Sequence, residues 1–185
     1  MNLPNKLTLA RVFLIPIFLL VLFLKIPNGK FLAAAIFILA ALTDGLDGYL
    51  ARSLQQVSRF GKLMDPVADK LLITTALISL VALDEIHAIP AIIIIGREFA
   101  VSGLRSLAAS DGVVISASPL GKLKTITQVV AITAILLENY PFSLINFPFA
   151  SIALGVALFF TLYSGIDYYI RFRKILRLDN ESEAL

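Results

Sequence analysis

The sequence contains no cysteine and a single histidine, His87. A zinc, haem-thiolate or iron–sulfur centre needs thiolate or imidazole ligands in numbers this chain does not have, and no disulfide framework can form. Any metal chemistry must therefore run on carboxylates. Internal repeats and low-complexity tracts are also missing, which argues against the transporters built on inverted repeats. Charge is scarce: 16% of the 185 residues are charged against 58% hydrophobic, and the mean hydropathy is +0.89. That balance excludes an ordinary soluble domain and implies an integral membrane protein. The excess of 16 basic over 13 acidic residues would suggest nucleic acid in a soluble chain. In a chain this apolar it reports membrane orientation, and no nucleic-acid partner is expected.

Apolar segments recur at 7–25, 30–51, 66–84, 88–109, 121–138 and 147–170, separated by short polar breaks such as IPNGK and ALDEIH. The reading is an all-α integral membrane protein of six transmembrane helices in one domain, 1–185. Residues 171–185 form a short cytoplasmic tail, expected to be a basic juxtamembrane anchor followed by a disordered end. The uncharged stretches 12–24, 31–43, 71–83 and 125–137 are 13 residues each, against the roughly 20 needed to span. Each helix must then carry charges into the membrane zone. Of the basic residues, Lys25 and Lys30 fall at the first loop and Arg97 lies inside an apolar segment, while the remaining thirteen lie toward the other side. The positive-inside rule puts both termini in the cytoplasm. The first segment has the outline of a signal peptide, with Lys6, Arg11 and the alanines at 33–35. The KIPNGK interruption argues that it is instead a retained first span.

Within this apolar chain, residues 44–69 hold four aspartates. Asp44, Asp47, Gly48 and Ala51 follow i, i+3, i+4, i+7, so on a helix two carboxylates share a stripe with two small residues. Gly61, Asp65 and Asp69 form a second stripe. If the chain turns back between them, the stripes face each other in a pocket of oxygen ligands alone, untenable without cations. Such a site selects magnesium, manganese or calcium over softer metals. Pro66 is awkward inside a helix because it has no N–H to donate. Either Asp65 caps the third helix with Pro66 as its first residue, or the helix is kinked there.

The pattern Asp44-x2-Asp47-Gly48-x2-Ala51-Arg52-x8-Gly61-x3-Asp65-x3-Asp69 resembles the signature of the CDP-alcohol phosphotransferases. That resemblance implies a six-helix fold with its site on the cytoplasmic side of the cell's inner membrane. It also implies transfer of a phosphatidyl group from CDP-diacylglycerol to an alcohol with release of CMP. By the same resemblance two divalent ions, Mg2+ or Mn2+, bridge Asp44, Asp47, Asp65 and Asp69, and Asp69 is also the catalytic base. Gly48 and Ala51 let the nucleotide lie against the helix backbone, with Gly61 opposite, while Arg52 and Ser58 hold the pyrophosphate and its nucleotide end. The opening Pro4-Asn5-Lys6-Leu7-Thr8-x2-Arg11 also resembles that of the family and adds Asn5 and Thr8 to the CDP-diacylglycerol contacts. Locally, either of these two could simply be an N-cap, and Arg11 could snorkel to the interface.

The acceptor must be chosen outside the shared motif. Arg97 and Arg105 bracket one side of the fourth helix, and Lys122 and Lys124 stand at the start of the fifth. An anionic acceptor is the simplest reason for such a cluster, although positive-inside topology accounts for lysines at that position equally simply. These segments resemble the branch of the family whose acceptor is glycerol 3-phosphate. Glu98 reads either as a substrate contact or as an internal partner of a neighbouring arginine. Asp167, four before Arg171, reads as a helical ion pair. Membrane lipids are the surrounding partners, and monomer and homodimer are both compatible with the sequence. Two other classes compete. Intramembrane prenyltransferases also hold a lipid pyrophosphate through aspartate-bound magnesium, but with two well-separated aspartate motifs. Ion carriers also bury carboxylates, but are usually larger.

Overall fold

The computed structural model describes the backbone of residues 3–24, 26–53, 59–110 and 119–183. It describes their side chains except at 3–5, 44–53, 59–63, 65, 66, 119 and 174–183. Among the described residues six long helices follow one another: α1 (Leu3–Phe23), α2 (Gly29–Ser53), α3 (Arg59–Ala82), α4 (Ala88–Ser110), α5 (Pro119–Leu136) and α6 (Phe149–Glu183). A short 3-10 turn, Phe142–Ile145, precedes α6. No strand occurs among the described residues.

Three boundaries differ from the sequence expectation, each for a local reason. α1 begins at Leu3, with Pro4 in its first turn, where a missing N–H costs nothing. Asn5 and Thr8 therefore lie inside the helix and neither is its N-cap. α3 begins at Arg59 rather than 66. Lys62, Leu63 and Met64 are good helix formers and build a turn ahead of Pro66, so Asp65 does not cap the helix and Pro66 is an internal residue. α6 runs to Glu183, and the disordered end expected after 171 is a helix over this range. The polar stretch 171–183 contains no glycine or proline to stop it. At 35 residues α6 is about 50 Å long, well beyond the about 30 Å of a bilayer's hydrocarbon core.

One apolar core joins the first five helices, centred on Phe18 of α1, Phe37 of α2, Leu72, Leu77 and Leu80 of α3, Ile94 of α4, and Ile132 and Leu136 of α5. The rings of Phe18 and Phe37 lie 6.0 Å apart. Ala33, Ala34 and Ala40, all fully buried, let α1 and α2 approach closely. α6 packs on α5 through Ala131, Ala153 and Ala157, and on α4 through Val101, Ala108, Tyr168 and Phe172. Large apolar side chains also point outward on every face, among them Phe13 (68% exposed), Ile92 (66%) and Phe159 (62%). An apolar exterior around an alanine-rich interior suits a lipid solvent. By length and composition Lys6–Phe23 and Phe149–Arg173 can each cross a membrane, and Gly29–Thr43 is a shorter apolar stretch.

At one end of the bundle Lys30, at the start of α2, bonds Glu85 of the α3–α4 connection and lies 2.7 Å from Glu138, just past α5. Asn139 adopts a left-handed conformation (φ 62°), which asparagine tolerates. Its amide donates to the Phe147 carbonyl at 2.6 Å and accepts from the Ala150 N–H at 2.9 Å, fixing the entry to α6. Three connections are thus tied together at the end opposite the aspartates.

Candidate active site

α2 is continuous to Ser53, so Asp44, Asp47, Gly48, Ala51 and Arg52 lie on one uninterrupted helix at the register read from the sequence. α3 carries Gly61, Asp65 and Asp69 on a second helix, and α2 and α3 pack against each other. The side chains of Asn5, Asp44, Asp47, Gly48, Ala51, Arg52, Gly61 and Asp65 lie outside the described residues, as does Ser58 altogether. Among the described residues no group of three or more potential ligands occurs. The donor set fits a hard divalent cation, since its four members are carboxylates and helical register places Asp44 beside Asp47 and Asp65 beside Asp69.

Four residues of the N-terminal motif are described: Lys6 is exposed and Leu7 half-buried, while Thr8 and Arg11 are buried, at 1% and 0% exposed. The Arg11 guanidinium does not snorkel. It crosses to α2, with Nε 3.5 Å from the hydroxyl of Thr43, the residue before Asp44. That hydroxyl in turn donates to the Ala40 carbonyl at 2.7 Å. The charge is therefore kept inside the protein at the aspartate-bearing end of α2.

Asp69 is half-buried and lines a narrow crevice of about 10 Å³ with Lys70, Ile73, Glu98, Lys124, Thr125 and Gln128, contributed by α3, α4 and α5. Lys124, though 8% exposed, is paired: its ammonium bonds Glu98 Oε1. The same oxygen accepts from Arg97 Nη1 at 3.1 Å. Arg97 Nη2 donates to the Ser164 hydroxyl of α6 at 3.0 Å, and that hydroxyl donates to the Thr161 carbonyl at 3.1 Å. Gln128, one turn after Lys124, donates to the Thr161 hydroxyl at 2.9 Å. The polar groups thus run in a circuit from α5 through α4 to α6 and back. Three charges this far from water are tolerable only when paired in this way. Gly165 lets Arg97 pass, because a Cβ there would stand 3.2 Å from Arg97 Cγ. Arg97 Nε is buried without a hydrogen-bond partner among the described residues.

Of the residues expected at an acceptor site, the structure brings Arg97, Lys124 and Asp69 together around Glu98. It does not bring in the other two. Arg105, eight residues and about 12 Å further along α4, is exposed and lies against α6, its Nε 3.4 Å from the Tyr168 hydroxyl and its guanidinium carbon 5.6 Å from that ring's centre. Lys122 is exposed, since two residues turn it about 200° around α5 from Lys124. Glu98 is the internal partner of Arg97, and Asp167 pairs with Arg171 at 3.1 Å, as their spacing suggested. Gln128, Thr161 and Ser164 were missed. Their only sequence signal is helical spacing, i+4 from Lys124 and i, i+3 within α6.

Helices that carry an aspartate-rich stretch into a membrane protein, beside buried arginine and lysine, define a class that handles a charged phosphate group at a lipid surface. The chain belongs to the CDP-alcohol phosphatidyltransferase family, whose model matches residues 1–163. It is similar to the CDP-diacylglycerol--glycerol-3-phosphate 3-phosphatidyltransferase of Bacillus subtilis, 48% identical over 97% of this chain and 99% of that protein. Proteins of the same name from Haemophilus influenzae (40% identical, 97% of each chain) and Rickettsia bellii (39%, 91% and 93%) are also similar.

Proposed function

We propose that this protein transfers the phosphatidyl group of CDP-diacylglycerol to glycerol 3-phosphate, giving phosphatidylglycerophosphate and CMP. The observation that carries this reading is the meeting of Asp69 with the buried Arg97–Glu98–Lys124 cluster, which sets an anion-binding group beside the last aspartate of the family pattern. The names of the similar proteins agree with it. All six helices span the cytoplasmic membrane, with both termini and the crevice on the cytoplasmic side.

In this reading Asp44, Asp47, Asp65 and Asp69 would hold two divalent ions, Mg2+ or Mn2+. Their chemistry is to withdraw charge from the pyrophosphate oxygens. Gly48, Ala51 and Gly61 leave room for the nucleotide, and Asn5, Thr8, Arg52 and Ser58 contact the CDP-lipid. Arg97 and Lys124 face the acceptor's phosphate. Arg105 and Lys122, both exposed, stand at the cytoplasmic approach, where they draw in anions and fix orientation. Asp69 takes the proton of the acceptor hydroxyl as its oxygen bonds the phosphorus on the diacylglycerol side, and the bond from that phosphorus to CMP breaks.

The test is CMP release by the purified protein in detergent, with CDP-diacylglycerol and glycerol 3-phosphate, serine, inositol phosphate or phosphatidylglycerol. Glycerol 3-phosphate should give the highest kcat/KM. A higher value for any of the others would replace it as acceptor, and CMP release that needed no alcohol would remove the transferase reading.

A further inference from the structure

In the proposed reaction the acceptor's hydroxyl reacts, while its phosphate passes unchanged into the product. The cations that hold the phosphate before transfer face the same group afterwards. Two uncompensated cations, sheltered from water, would grip product as firmly as substrate. The crevice has a device against this. Glu98 lines it together with Asp69 and Lys124, and one of its oxygens takes a donor from each cation, Arg97 Nη1 and Lys124 Nζ. The three side chains together carry one net positive charge. Arg97 stands behind Glu98, with its Nε toward Gly165 of α6 rather than in the crevice lining, whereas the Lys124 ammonium lines the crevice and has N–H groups beyond the one given to Glu98. The Glu98–Lys124 bond also ties α4 to α5, but it is not what holds either helix to α6. Arg97 already reaches α6 through Ser164, and α5 reaches α6 through the Gln128–Thr161 bond and alanine packing.

We propose that Glu98 is an internal counter-anion: it occupies Arg97 and Lys124 between turnovers, competes with the phosphate of the bound acceptor or product, and so limits how tightly phosphate monoesters are held. It is a positioning residue, acting through the two cations rather than on the reacting atoms. This rests on the acceptor site proposed above.

The test is Glu98→Gln, which keeps the side chain's size and one accepting oxygen but removes the charge. The KM for glycerol 3-phosphate should fall by about fivefold or more, and kcat should fall with it as product release slows. The KM for CDP-diacylglycerol should stay in place. Inorganic phosphate, added alone, should become a strong competitive inhibitor against glycerol 3-phosphate, and Glu98→Asp should restore the wild-type pattern. Should the variant prove too slow to assay, thermal unfolding in detergent decides: inorganic phosphate should raise its melting temperature more than that of the wild type. An unchanged or raised KM, or a phosphate response of melting no larger than the wild type's, would overturn the proposal and leave Glu98 a tether. Arg97→Ala and Lys124→Ala serve as controls. If both raise the KM for glycerol 3-phosphate while Glu98→Gln shows no tightening, only the role of Glu98 falls. If neither moves it, the acceptor site itself is wrong and the inference goes with it.

Discussion

Arg97 reaches Ser164 across a residue that has no side chain. A Cβ on Gly165 would stand 3.2 Å from Arg97 Cγ and 3.6 Å from its Nε, so Gly165→Val must push the guanidinium out of its circuit. The expected result is a KM for glycerol 3-phosphate raised about tenfold, the same direction as Arg97→Ala, with the KM for CDP-diacylglycerol nearly unchanged. Steady-state kinetics on the two variants checks this. At the carboxylates the expectation differs. Asp69→Asn should lower kcat by roughly 10² to 10⁴ while CDP-diacylglycerol still binds, since a positioned base contributes on that scale. Asp44→Asn and Asp65→Asn should abolish turnover, because each removes a charge from the ion-binding set. Near-normal rates for either at saturating magnesium would refute that set.

The helices show which parts of this molecule could be read from its residues. The aspartate register was legible because spacing alone fixes a stripe on any helix, and α2 and α3 are continuous through it. The start of α3 stayed open between Pro66 as first residue and Pro66 as an internal one, because proline is compatible with both, and the good helix formers just before it decide for the second. The end of α6 was misjudged because loss of apolarity was taken for loss of helix, whereas the helix continues unbroken to Glu183. At the proposed acceptor site the sign of the charge cluster was legible, but which of the four cations come together was not. Arg97 and Lys124 meet through Glu98 because α4 and α5 both pack on α3 and α6, and no local pattern records that contact. Gln128, Thr161 and Ser164 stayed invisible because single neutral polar residues become informative only when partners from other helices face them. The connections at the far end carry a separate expectation. Lys30, Glu85 and Glu138 are partly exposed, so Lys30→Met should lower stability by no more than about 1 kcal/mol. It should leave kcat and both KM values alone. Parallel melting and activity measurements test this, and a large loss of activity would mean that the two ends of the bundle are coupled.

For the molecule as a whole, the absence of cysteine makes its orientation directly testable. Asn28→Cys, in the α1–α2 connection, should react with a membrane-impermeant maleimide added outside intact spheroplasts. Ser182→Cys, near the end of α6, should react only after permeabilisation. The opposite pattern would invert the proposed topology. The polar circuit also bears on how the chain enters the membrane in the first place. By length and composition α1 and α6 each contain a stretch that can cross a membrane, whereas among the described residues α4 and α5 do not. An unpaired charge inside the bilayer costs on the order of 2.5–3.5 kcal/mol at insertion; Glu98 neutralises Arg97 on α4 itself, whereas Lys124 of α5 finds its counter-charge on another helix. If Lys124 enters the membrane already facing Glu98, α5 depends on the helix made before it: Glu98→Ala should weaken integration of α5 in a glycosylation-mapping assay, and an unchanged yield would show that Lys124 enters without its partner.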